Sequence, residues 1–402
     1  MRNPPMPDPA PRPDHAALAA FVKIAGRDCW GKRVTAISER AKQGQFTGRA
    51  TQQRHAAELM LARLSDPKAL ARAGASEHRL LAFAREVARL DATLAGEARA
   101  RLRAMVREGL SGEATLIPVF HLVRTAALAR ARGFSVRFDG LLDGAAHDLL
   151  ITREGASAEV ALCTVSAEEG RPLHRGAWFD LMDRMHPELQ TWLAAHPGRY
   201  LLKMTLPEGV NDAQQLSTLQ DRILGMLAAQ KRQDSSADLI MKLDPLVLAG
   251  AQMGMQAALR QQFGPEAHLA VTADANSGSV FVMAARAGRE NEIAQAVKFR
   301  MAQTASSRLS GRHPGILAMF IEDMDRTEWR SLRDSLELEG VTRRFMTEPE
   351  ARHVVAVTCA SRAELFGLPA PDSAPEGELR FRNPGHPAAK NPHLAPGIAS
   401  SV

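Results

Sequence analysis

One change of texture constrains this chain more than any other feature. Up to Leu110 the apolar residues recur only at three- and four-residue spacing. Beyond Ser111 short β-patterned runs alternate with helical segments. A chain of 402 residues written this way folds as a mixed α/β protein. It has an N-terminal helical part and mixed sheets covered by helices. Four segments carry the first pattern: His15–Ala25, Lys32–Lys42, Thr51–Leu64 and Glu77–Leu94. Ser65-Asp66-Pro67 and Ser76 before Glu77 are helix-start signals.

After Ser111 a helix is expected up to Arg132, kinked or starting late because of Pro118, with Gly133 as its C-cap. Strands are expected over Phe134–Phe138, Asp148–Arg153 and Ala158–Val165, then a helix from Trp178 to Ala195 and a fourth strand over Arg199–Leu206. Alternation continues with helices near Asp212–Arg232, Ala251–Phe263, Glu290–Leu309 and Thr327–Glu339. Strands are read at Asp238–Leu243, Gly315–Ile321 and His353–Cys359, with a hairpin around Asn276-Ser277-Gly278. The domain reading is a disordered leader over 1–13, a basic helical domain over 14–110 and an α/β core over 111–206. A further α/β region follows over 207–368, and a disordered Pro- and Gly-rich tail over 369–402.

Apolar and charged fractions of 45% and 24% belong to an ordinary globular protein. Cys29, Cys163 and Cys359 are far apart and odd in number, so they form neither a disulfide framework nor a metal motif. No apolar run spans a bilayer, and the proline-dense N-terminus does not read as a signal peptide. A cytoplasmic protein with no membrane partner is the expectation. Net charge is +6, and residues 14–112 hold eighteen Lys/Arg against ten Asp/Glu. That surplus suits either a phosphate-facing surface or an arginine-rich solvated one.

The stretch from Ser111 to Leu206 reads helix, strand, strand, strand, helix, strand. Its second strand opens with Asp148, its third carries Glu159, and Glu113 opens the preceding helix. In this the chain resembles the PD-(D/E)XK (restriction-endonuclease-like) superfamily. The resemblance implies that Glu113, Asp148 and Glu159 hold Mg²⁺ against a phosphodiester, as carboxylates on adjacent strands can. It also implies a lysine two residues after the second acid, on the same strand face. That position is Ala161, so catalysis is in doubt. Lys203 is the candidate migrated catalytic base, with Arg171 and Arg175 as further cations. The expectation is that the three acids approach one another without supporting cleavage.

Other constellations are weaker. Ser166, His174 and Asp180 are triad residue types without a nucleophile elbow. No P-loop or dinucleotide fingerprint is present. Trp178 and Trp192, four turns apart, read as core. Two functions stay open: a nucleic-acid-binding protein with a degenerate nuclease-like core, or a non-catalytic scaffolding protein that binds protein partners.

Overall fold

The computed structural model describes residues 13–210, 213–247, 255–264, 267–274, 277–288, 292–366 and 374–401. Residues 1–12 of the expected leader and Asn276 of the expected hairpin turn lie outside these, and Pro13 opens the first helix, Pro13–Ala25. Eleven strands are found among the described residues. They are β1 (Ser135–Arg137), β2 (Leu149–Arg153), β3 (Ala156–Ser166), β4 (Arg199–Leu206), β5 (Gln233–Ser235), β6 (Ile240–Pro245), β7 (His268–Asp274), β8 (Ser279–Ala287), β9 (Gly315–Glu322), β10 (Val354–Ser361) and β11 (Leu379–Arg382). They form two mixed sheets, in the orders β1-β2-β3-β9-β10-β11 and β5-β6-β4-β8-β7.

In the first sheet β1, β2 and β3 run antiparallel, β3, β9 and β10 run parallel, and β11 returns antiparallel. Every residue of β9 and β10 is buried, as central parallel strands covered on both faces must be. The alternation of β9 sorts its side chains between two cores. Ile316, Ala318 and Phe320 pack with Phe21, Phe83 and Phe120 of the N-terminal helices. Leu317, Met319 and Ile321 pack with Val297, Trp329 and Phe345 on the opposite face. The N-terminal helices therefore do not make a free-standing domain; they are one outer layer of this sheet.

The helix before β1 starts late, at Ile117, with Pro118 in its first turn, where a missing N–H costs nothing. Thr51–Leu64 is two helices, Gln45–Arg54 and Ala56–Arg63, separated at His55. The Thr327–Glu339 segment also breaks in two, Arg326–Asp334 and Glu337–Phe345, at Leu336 with φ 60°.

Two expectations need correction. The helix Arg175–Ala195 and β4 do not complete the sheet of β1–β3; they belong to the second sheet. Trp178 is buried there among Leu202, Met204 and Phe281, with Trp192 packed alongside. The apolar face of that helix has an equally apolar sheet of its own to cover. The crossover from β3 to β9 is made instead by the helix Ile293–Arg308. The second body is thus an insertion in that crossover. The Glu292 amide donates to the Gly170 carbonyl at 2.7 Å, so the chain leaves and returns side by side. Any Cβ on Gly170 would lie 2.5 Å from the Ile293 backbone, which is why glycine stands there.

The tail also differs from expectation. From Ala374 the chain is part of the fold: β11 pairs with β10, and Leu379, Phe381 and Ile398 are buried. Leu379 and Phe381, two apart, suffice to seat an edge strand despite the surrounding Pro and Gly. Among the described residues no helix is long and apolar enough to cross a membrane.

Candidate functional site

The register pairs Leu149 with Val160 and Leu150 with Glu159, which puts Asp148, Glu159 and Ala161 on one face of the first sheet. That face looks at the helix Ile293–Arg308, whose last residue reaches over the acids. Arg308 donates from Nε to the Ala146 carbonyl (2.9 Å), from Nη1 to the Leu162 carbonyl (2.6 Å) and from Nη2 to Asp148 Oδ1 (2.7 Å). Asp148 Oδ2 accepts from the Leu162 amide at 2.7 Å. Burial raises the Asp148 carboxyl, against the pull of Arg308 and that amide. Glu159 is fully enclosed, and its two oxygens accept from the Ser310 amide (2.7 Å) and hydroxyl.

The expected convergence of three acids does not occur. Glu113 lies in the loop before the helix, exposed and ion-paired with Arg40. Its backbone carbonyl accepts from Arg54, which bonds Asp323 just beyond the far end of β9. Glu159 sits beside Gly315, at the start of β9, whereas Ser166 sits beside Glu322, at its end. Seven residues of strand separate the two places, roughly 23 Å. Lys203 is in the second sheet, half-exposed and paired with Asp244 at 3.1 Å. Among the described residues no three His, Cys, Asp or Glu are grouped to hold a metal ion. The donor set does not fit Mg²⁺: the oxygens of Asp148 and Glu159 already accept from the chain's own groups, and Ala161 offers none. Arg171 and Arg175 are not free cations either. Arg171 is buried and donates from Nη2 to both carboxylate oxygens of Glu328 (3.0 and 2.9 Å), and Arg175 pairs with Glu328 and with Asp325 (3.0 Å).

Ionisable groups instead gather where β3, β9 and β10 end together. These are C-terminal ends of parallel strands, the usual place for a site in α/β proteins. Glu322 accepts from the Thr115 hydroxyl (2.9 Å) and Arg362 (3.0 Å); burial raises its carboxyl, opposed by Arg362. Asp323 has φ 57°, a conformation rare for a side-chain-bearing residue, and accepts from Arg54 and from the Ser166 hydroxyl (2.7 Å). Burial pushes Asp323 up, but Arg54 and Ser166 outweigh it and hold the carboxyl low. Asp325 is likewise held low, burial being outweighed by Arg175 and by the amides it caps. Arg362 also donates to the last carbonyls of the helix Gln45–Arg54, at 2.6 Å each, tying helical layer to sheet.

Arg54, Arg175, Asp323, Asp325 and Arg362 border a cleft of about 1000 Å³ between the helical layer, the first sheet and the inserted body. Phe179, Met324 and Phe366 add apolar surface, and His174 and Asp180 also line it. Ser166, His174 and Asp180 do not form a triad: the Ser166 hydroxyl is given to Asp323.

Arg308, Ser310, Glu322, Asp323 and Arg362 escaped the sequence reading. One signal was there: Glu322-Asp323-Met324-Asp325 follows directly on an all-apolar run. No protein-family model matches the chain, and neither a curated protein nor a solved structure matches it.

Proposed function

We propose that the chain is a non-catalytic ligand-binding protein, in which a nuclease-like sheet serves as frame and the cleft at the ends of β3, β9 and β10 receives the ligand. The observation that carries this reading is the cleft itself: a hollow of about 1000 Å³ where Asp323 and Asp325, carboxyls held low, meet Arg54, Arg175, Arg362 and aromatic surface. Such a convergence is the usual mark of a binding site. The nuclease likeness draws support from element order. Helix, β1, β2, β3, helix and β9 follow the order read in the sequence once the inserted body is set aside. Loss of cleavage draws support from Arg308 and Ser310, whose bonds take up the two strand acids.

Nucleic acid as partner has less in its favour. Of the eighteen basic residues between 14 and 112, Arg33, Arg79, Arg99 and Arg101 donate to backbone carbonyls, and Arg40, Arg54, Arg63, Arg85, Arg89 and Arg103 pair with carboxylates. Most of the surplus therefore holds the fold together. Soaking crystals with a library of small polar fragments tests the reading. Fragments should collect in the cleft, against Arg362 and Phe179. A cleft that stays empty while fragments fill other surfaces would overturn it.

A further inference from the structure

The cleft at the ends of β3, β9 and β10 spends nearly all its charge on the fold. On its wall Arg54 pairs with Asp323, Arg175 pairs with Asp325, and Arg362 pairs with Glu322, buried behind it. Glu113 is taken by Arg40 and Glu168 by Arg171, and Arg326 is engaged as well. Groups paired in this way present little net field to a ligand, because each carries its counter-charge with it. Among the described residues one charged side chain of the wall is left over. The Asp180 carboxylate makes no hydrogen bond and no ion pair with any of them.

Asp180 stands in the second turn of the helix Arg175–Ala195, exposed on the cleft wall. Partial burial raises its carboxyl; Arg184, one turn along the helix, opposes this without closing an ion pair, and Asp183 adds to it. Asp323 and Asp325 are held low, each by an arginine at its side. The difference is one of partners, and the partner Asp180 lacks is a cation. Apolar surface lines the same hollow. Phe179 precedes Asp180 on the helix and Phe366 comes from the first body, and both are only half-buried. The face of such a ring attracts an organic cation and packs against an apolar body.

We propose that the cleft takes a primary amine with an aromatic or aliphatic body, its ammonium on Asp180 and its body along Phe179 and Phe366. The inference rests on the ligand-binding reading and names the class of ligand. An ammonium has three donors and no acceptor, so it meets the unpaired carboxylate and leaves the paired guanidiniums undisturbed. An anion would first have to displace Asp323 or Asp325 from an arginine. The volume of about 1000 Å³ suits a small organic molecule.

Calorimetric titration of the full-length protein with benzylamine, benzyl alcohol and benzoate is the test. Benzylamine should bind about tenfold more tightly than benzyl alcohol, which has the same ring and no charge, and benzoate should not bind. Asp180→Asn, at an exposed position where folding is not at stake, should bring benzylamine down to the level of the alcohol and leave the alcohol unchanged. Glu97→Gln removes the same charge from an exposed position of the helical layer, outside the cleft, and should change nothing. An equal loss in Glu97→Gln would show that binding follows net charge and would overturn the site. Equal binding of amine and alcohol, tighter binding of benzoate, or no binding of benzylamine would overturn it too. In each of these cases fragments found in the cleft would leave the ligand-binding reading standing, and a cleft that also stays empty of fragments would remove both.

Discussion

Single side chains decide whether the acids of this protein can act as acids do in an open site. Arg308 gives all its reach to Asp148 and two carbonyls, so replacing it with methionine should leave Asp148 buried without a counter-charge. The carboxyl would then rise further, and denaturant unfolding should register a loss of about 2 kcal/mol. An unchanged midpoint would mean that the pair is worth no more than a surface ion pair. Arg171 is a stronger case, because it is fully enclosed and joins Glu328 to the Asp323 carbonyl across the junction of the two bodies. Arg171→Met should cost roughly 3–5 kcal/mol in the same measurement. The histidines set the pH dependence. His121 is buried, donates from Nε2 to the Ala318 carbonyl at 2.8 Å, and is held down at about 4, mainly by burial. Its ordinary value is 6.5, so between 6.5 and 4 the unfolded chain binds the extra proton. Stability should therefore fall as pH drops through that window, by about 1.4 kcal/mol per pH unit for each such histidine. His121→Gln should flatten the slope; a profile equally steep in the variant would contradict the assignment.

At the level of elements, most of the architecture is legible in the sequence. The runs read at 134–138, 148–153 and 158–165 are neighbours in one sheet, because alternation marks strands and short turns mark their pairing. What was not legible is which helix covers which sheet. Trp178 and Ile293 both open amphipathic segments, and nothing local tells the first that β4 rather than β3 will be its neighbour. Asp148 and Glu159 share a face because Leu149 pairs with Val160, a register the sequence does not state, and the hand of Arg308 upon them depends on a crossover that closes across more than a hundred intervening residues. Two element-scale consequences can be measured. Leu336 is 61% exposed with φ 60°, so Leu336→Gly should stabilise by about 0.5–1 kcal/mol, the reverse of glycine's usual effect beside a helix. A lowered melting temperature would contradict this. Asp183, on the inserted body, accepts from the Phe46 and Thr47 amides at 2.8 and 2.9 Å and so caps the helix Gln45–Arg54. Burial raises its carboxyl, but these bonds outweigh it and hold it below its ordinary 3.8. The latch is thus complete above that value and is lost as pH falls through the depressed one. Asp183→Ala should cost about 1 kcal/mol at neutral pH.

The molecule as a whole is one three-layer sheet with a second α/β body inserted in its crossover, and two hollows of about 1000 and 760 Å³ lie where these parts meet. The insertion moves Lys203 away from the acids it was expected to serve, and the helix that returns from it brings Arg308 onto Asp148. The proposed ligand cleft therefore lies at the end of β9, away from the strand acids Asp148 and Glu159 at its start. The most direct measurement is Mn²⁺ binding by electron paramagnetic resonance, with cleavage of a plasmid followed in the same samples. No saturable Mn²⁺ signal that responds to Asp148→Ala is expected, and no cleavage beyond that of the same variant. A bound-Mn²⁺ signal and plasmid cleavage that both disappear in Asp148→Ala would contradict it.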